Sequence, residues 1–209
     1  MTTKIRGKYL TDITTSEGNL TRHSLICEII AQGKFYDRAK LVRAIAEIAG
    51  ITHPKVIGRH LHILKTIQLI RETPQTYLIT SHGKALVKLR NRQVGILNQA
   101  QKTVFFKAFF THVPEQLYWV IYIVRKNERA TLEKNAIEYF YTSPAKKFWT
   151  KTVERAIRRE DNKTKSLPRG MRNKFETMLY WLSQLDILRK GNKVWLTENG
   201  LKISEALPR

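Results

Sequence analysis

Cysteine is almost missing: Cys27 is the only one, so no internal disulfide can form. With Leu25, Ile26, Ile29 and Ile30 around it, it is expected to be a small buried apolar side chain in a reducing compartment. No run approaches the roughly 18 consecutive apolar residues of a spanning helix. The start, Met1-Thr2-Thr3-Lys4-Ile5-Arg6-Gly7-Lys8, also lacks the apolar stretch of a signal peptide. A cytoplasmic protein without membrane contact is therefore expected. Neither Gly-x-x-x-x-Gly-Lys-Ser/Thr nor Gly-x-Gly-x-x-Gly occurs, which removes two common phosphate-cradling loops. His53, His60 and His62 have no Cys or paired carboxylates at ligand spacing, and His60 and His62 diverge on one helix. Groove or solvent contacts are expected of them, with no metal and no cofactor. Glu154, Glu160 and Asp161 sit among lysines and arginines, where salt bridging explains them better than nuclease chemistry. Cys27 beside Glu28 has no nucleophile context, so no catalytic constellation emerges and the chain reads as non-enzymatic.

Negative charge is scarce too. Against 17 Asp+Glu stand 38 Lys+Arg, a formal net charge of +21. A compact chain tolerates such self-repulsion more readily when a polyanion is its usual neighbour. Nucleic acid is the first candidate, ahead of a membrane surface or an acidic protein. With 209 residues, 42% of them hydrophobic, the chain can build one large packed domain or two small ones.

A weak internal repeat favours two. Leu61-His62-Ile63-Leu64-Lys65-Thr66-Ile67-Gln68-Leu69-Ile70-Arg71-Glu72 aligns without a gap to Leu179-Tyr180-Trp181-Leu182-Ser183-Gln184-Leu185-Asp186-Ile187-Leu188-Arg189-Lys190. A turn follows in each copy (Pro74-Gln75, Gly191-Asn192), one residue shorter in the second. Then come Tyr77-Leu78-Ile79 or Val194-Trp195-Leu196, a threonine (Thr80, Thr197), and a glycine three residues on (Gly83, Gly200). Leucines spaced by three put one apolar side on a helix, the two short apolar segments make a β-hairpin, and the threonine can cap a following helix. Upstream, Leu20 to Gln32, Arg38 to Ala49 and Pro54 to Ile67 read as helices, Pro54 suiting a first helical position. In the second half Gln116 to Arg125 and Thr131 to Tyr141 correspond, followed by an additional helix from about Ala145 to Arg159. Ser81 to Gln101 reads as one long connecting helix.

This order of helix, hairpin, capping threonine and glycine resembles the end of a winged helix-turn-helix domain, present twice. The resemblance covers the first half well and the second loosely. It implies a mainly α protein with small β-hairpin wings: one winged-helix domain at residues 10–92, a connecting helix or linker at 93–104, and a second winged-helix-like domain with an extra basic helix at 105–207. It also implies double-stranded DNA as partner and allows a homodimer or larger assembly, because such proteins often pair through a helix after the wing.

Charge placement gives candidate contacts. On the first reading helix Lys55, Arg59, His62 and Thr66 fall in one arc opposite Ile57, Leu61 and Leu64. Arginine there can pair with a guanine edge, and lysine or threonine can reach phosphate or base. Thr52 and Lys65 are further candidate contacts, and Arg71 and Gln75 in the wing are expected to touch the neighbouring backbone. No Asp or Glu lies between Glu72 and Glu115, while Lys84, Lys88 and Arg92, spaced by four, form a positive ridge suited to phosphate. In the second copy Phe175, Met178, Leu179, Leu182 and Leu185 form the apolar stripe. The opposite side carries Asn173, Glu176, Thr177, Tyr180 and Gln184, a poor reading face. Lys147, Lys151, Arg158, Lys165, Arg169, Arg172, Lys174, Arg189, Lys190 and Lys193 read there as phosphate contacts. Aromatic clusters (Tyr118, Trp119, Tyr122; Tyr139, Phe140, Tyr141; Trp149) suggest core packing first and single-strand stacking second. Two functional readings stay open: a DNA-binding protein, as a transcriptional regulator or an accessory subunit of a mobile-element, replication or defence system, and an assembly subunit whose winged helices bind protein.

Overall fold

Asn19 opens the first helix, its side-chain oxygen accepting from the backbone N–H groups of Thr21 and Arg22. The computed structural model describes residue 10 and residues 15–89, 96–144 and 167–206. Two units emerge, Asn19–Val113 and Pro114–Arg209, the latter together with Met1–Gly18.

The N-terminal unit contains α1 (Leu20–Ala31), α2 (Arg38–Ala49), α3 (Pro54–Thr66), β1 (Ile70–Glu72), β2 (Tyr77–Ile79), α4 (Ser81–Lys88) and α5 (Gln99–His112). Asp37 caps α2 by accepting from the Lys40 N–H at 2.9 Å, and α2 ends on Gly50, whose φ of 62° is left-handed. Pro54 opens α3, where no N–H partner is lost. Ile26, Ile29, Leu41, Ile45, Ile57, Leu64, Leu86, Phe105 and Phe109 form the buried core with Cys27, whose thiol is pushed up by burial. Each such side chain contributes about 1.5–3 kcal/mol by leaving water.

The C-terminal unit contains a short 3-10 turn (Thr15–Gly18), α6 (Pro114–Lys126), α7 (Leu132–Thr142), α8 (Arg169–Gln184), β3 (Leu188–Lys190), β4 (Val194–Leu196) and α9 (Glu198–Ala206). Its core gathers Leu117, Val120, Tyr139, Phe140, Phe175, Met178, Trp181 and Leu182. The described residues are thus mainly α with two small antiparallel hairpins, as the sequence indicates. Arg71 stands opposite Leu78 in one hairpin and Arg189 opposite Trp195 in the other.

The repeat recurs bond for bond. At the end of α3 the Leu69 N–H donates to the Leu64 carbonyl and the Gln68 N–H to the Lys65 carbonyl. At the end of α8, Ile187 donates to Leu182 and Asp186 to Ser183. Gln68 (φ 56°) and Asp186 (φ 58°) both take the left-handed conformation that turns the chain into the hairpin. Thr80 Oγ1 accepts from the Gly83 N–H at 3.1 Å and Thr197 Oγ1 from the Gly200 N–H at 3.1 Å. The glycines have a steric reason: a Cβ on Gly83 would overlap the Leu69 carbonyl oxygen, and one on Gly200 the Ile187 carbonyl oxygen.

Two expectations change, and a third lies beyond the described residues. The long helix over Ser81–Gln101 is not continuous, because α4 stops at Lys88 and Asn98 starts α5 afresh. Asn98 accepts from the Gln101 N–H while Gln101 accepts from the Asn98 N–H, a reciprocal cap, and the Asn98 amide also donates to the Leu89 carbonyl. The division falls at Gly18/Asn19 and Val113/Pro114 rather than at 92 and 105. Phe105 and Phe109 are buried in the N-terminal unit, and Gln101 donates there to Ser24 at 3.2 Å. The additional helix over Ala145–Arg159 lies outside the described residues.

Candidate nucleic-acid interface

Along α3 the 3.6-residue period separates two faces. Ile57, His60, Leu61, Ile63 and Leu64 point inward and are buried, while Thr52, Lys55 and His62 are exposed and Arg59 is half-buried. Thr66 leaves the expected arc: it is 9% exposed and its hydroxyl donates to the His62 carbonyl at 2.9 Å, so it faces its own helix. His60 is corrected as well. It meets neither groove nor solvent, because its spacing from Ile57 and Leu64 is that of the apolar face. Fully buried, its Nδ1 lies 3.3 Å from His23 Nε2, and His23 Nδ1 lies 3.0 Å from the Asn19 carbonyl. Burial, reinforced by His23, Arg22 and Arg59, lowers the His60 pKa to about 2, so the ring stays neutral.

The hairpin beside α3 is fastened by backbone. Thr73 donates to the Thr76 carbonyl at 2.8 Å across the turn, and Thr76 Oγ1 donates to the Phe35 carbonyl at 3.1 Å. This presents Arg71 and Gln75 to solvent. Lys84 and Lys88 are exposed on α4, and Arg92 lies outside the described residues. Among the described residues Lys55, Arg71, Lys84 and Lys88 have no ion-pair partner.

Lys65 differs. Its ammonium is 2.7 Å from one Glu72 oxygen, and the Arg38 guanidinium is 2.8 Å from the other. Arg38 also donates to the Thr73 carbonyl and lies 5.0 Å from the centre of the Tyr77 ring. The Lys65 hydrogen bond, with the charges of Lys65 and Arg38, holds the Glu72 carboxyl below its usual range. Sequence reasoning missed this cluster, since Arg38 and Glu72 lie 34 residues apart.

The matching face of α8 is partly covered and carries no cation. Asn173, Thr177, Tyr180 and Gln184 stand where α3 has Lys55, Arg59, His62 and Thr66. Thr177 is fully buried, contrary to its placement on the open side, and donates to the Asn173 carbonyl at 2.9 Å. The turn at Thr15–Gly18 lies on this face. Gln184 Nε2 donates to the Gly18 carbonyl at 2.6 Å, Trp181 Nε1 to the Glu17 carbonyl at 2.8 Å, and a Cβ on Gly18 would press on the Tyr180 ring. Of the expected cations, Arg169, Arg189 and Lys193 are exposed, Lys174 is half-buried, and Arg172 is 3.6 Å from Glu133. Lys190 is largely consumed: its ammonium is 2.8 Å from Glu176 and 4.0 Å from the Tyr180 ring centre. Lys147, Lys151, Arg158 and Lys165, with Trp149, lie outside the described residues. Of the aromatic clusters, Tyr139 and Phe140 are core, but Tyr122 is 43% exposed, with Tyr118 and Trp119 half-buried beside it.

Among the described residues no group of three or more His, Cys, Asp or Glu is arranged to hold a metal ion, and no helix is long and apolar enough to cross a membrane. No family model matches this chain. No curated protein matches it either. It is similar to a solved structure of the BpuJ1 endonuclease binding domain in complex with pyrene- and phenanthrene-modified DNA. The identity is 17% and the TM-score 0.48, covering 89% of this chain and 79% of that chain. A likeness of that size says nothing about how this chain acts.

Proposed function

We propose that the protein is a non-enzymatic double-stranded DNA-binding protein that engages the duplex with the N-terminal unit. One observation carries the reading: α3 buries its apolar side and leaves Thr52, Lys55 and His62 open to solvent beside Arg59, next to a hairpin that presents Arg71 and Gln75. A helix so mounted can enter a major groove, with the hairpin against the flanking backbone, as the winged-helix resemblance implies. Charge supports it, for residues 19–113 hold 15 Lys and Arg against 4 Asp and Glu. In this picture Lys55, Arg59 and His62 reach base edges or phosphate, Arg71 and Gln75 touch the neighbouring backbone, and Lys84 and Lys88 hold phosphate. The C-terminal unit contributes phosphate contacts from Arg169, Arg189 and Lys193 and does not select sequence, since the matching face of its own helix carries no cation and is partly covered by the turn. A transcriptional regulator and an accessory DNA-recognition subunit are the two roles this reading fits.

The test is a gel shift of the full chain on duplex DNA, single-stranded DNA and RNA probes across salt concentrations. Duplex preference persisting at about 150 mM salt, with affinity falling linearly on log–log axes, is the expected result. Equal binding to all three probes, or none, overturns the reading.

A further inference from the structure

We propose that Glu72 is an internal competitor for DNA phosphate, holding Lys65 and Arg38 in reserve and so setting how tightly the protein grips a duplex. The inference rests on the duplex-binding reading above and deepens it.

The N-terminal unit has four acidic residues, Glu28, Asp37, Glu47 and Glu72. Asp37 is engaged in capping α2. Glu72 ends β1, and its carboxylate meets Lys65 in the last turn of α3 and Arg38 at the start of α2. Its two oxygens take one cation each, Lys65 at 2.7 Å and Arg38 at 2.8 Å, and Oε1 also lies 3.4 Å from the Tyr77 hydroxyl. Two cations and a phenol around one singly charged oxyanion are also a fitting surround for a phosphate. The three charged side chains are 45%, 42% and 35% exposed for Arg38, Lys65 and Glu72, so water and salt reach the cluster and the pairs exchange readily.

The hairpin has other braces. The hairpin already has its antiparallel ladder from Ile70↔Ile79 to Glu72↔Tyr77, the Thr76 bond to Phe35 and the Thr80 cap. What the carboxylate adds is charge of the wrong sign for DNA in the middle of a cationic surface. Each phosphate neutralised by Lys or Arg steepens the log–log salt dependence by about 0.9. Occupying two cations therefore removes up to about two such contacts, and removing the carboxylate returns them.

Glu72→Gln and Glu72→Asp variants of the full chain test this on a random-sequence 30-bp duplex titrated from about 50 to 300 mM KCl. Glu72→Gln is expected to bind about tenfold tighter at 100 mM, with a slope steeper by between one and two. Glu72→Asp, which keeps the charge, stays near wild type. Unchanged or weaker binding by Glu72→Gln overturns the proposal, and weaker binding rescued by Asp identifies a brace instead. A Lys55→Ala, Arg59→Ala double variant in the same titration separates the two claims. If it loses affinity while Glu72→Gln does nothing, the duplex reading stands and only the competitor fails. If wild type shows no salt-dependent binding, both fall.

Discussion

The two units are built on one plan and dress it with different side chains. Both end a helix with the same pair of backbone bonds, the same left-handed residue, the same hairpin and the same threonine-to-glycine cap. Their charge excess is similar as well: 15 cations against 4 acids in residues 19–113, and 23 against 13 in the remainder. In the second unit, however, 8 of those cations lie between residues 145 and 166, while Arg125, Lys126, Arg172, Lys190 and Lys202 sit within 4 Å of glutamates. Even the ion pair between hairpin and helix is reversed in sign, Glu72 with Lys65 in one and Lys190 with Glu176 in the other. A repeated backbone therefore does not imply a repeated surface: helix-face chemistry diverges while the turn geometry beneath it is kept.

The largest effects should come from the shared backbone. Gly83→Ala and Gly200→Ala each drive a Cβ into a carbonyl oxygen and should destabilise their own unit by more than about 3 kcal/mol. Thermal melts followed by hydrogen exchange should show one unit lost and the other retained in each case. An unaffected unit would mean that the two turns are not equivalent.

Binding should separate the units next. Arg59→Ala is expected to cost about 1–3 kcal/mol and relax sequence preference if Arg59 pairs with a base, whereas Asn173→Ala, at the matching position of α8, should leave duplex affinity unchanged. Affinity lost equally on every duplex would make Arg59 a phosphate contact.

Acid should then distinguish them. The His60 pKa is lowered in the folded state, so the unfolded chain binds the proton that the folded chain refuses. The associated stability is present above about pH 6.5 and is lost as pH falls below it, at about 1.4 kcal/mol per pH unit. By pH 5 the N-terminal unit should lose about 2 kcal/mol, and His60→Leu should flatten that limb. A melt insensitive to pH over this range would place a proton acceptor beside the pair.

The smallest difference lies in the caps. Thr80→Ala and Thr197→Ala should each cost about 1 kcal/mol, as the same bond is lost from each unit. Unequal losses in calorimetry would show that one hairpin leans on its cap more than the other.

Local features were legible in the sequence. The helices α1 to α3, both hairpins and both capping threonines follow from period, turn residues and the repeat. The break before α5 was also written there, as Asn98 and Gln101 at capping spacing, and His60 stood at the spacing of the apolar face. What could not be read locally was anything joining distant segments. No periodicity links Arg38 to Glu72 or Glu17 to Trp181, and the turn at Thr15–Gly18 partly covers α8 only because folding brings it there. Burial of Thr66 and Thr177 was missed as well, although each hydroxyl is satisfied locally, by the carbonyl four residues earlier on its own helix.

Amide hydrogen exchange on the full chain, with and without saturating 20-bp duplex, weighs the central claim most directly. The account predicts slowed exchange along residues 54–66 and the hairpin that follows, with residues 171–184 unchanged. Protection confined to residues 171–184, with the first segment exchanging as freely as before, would contradict it.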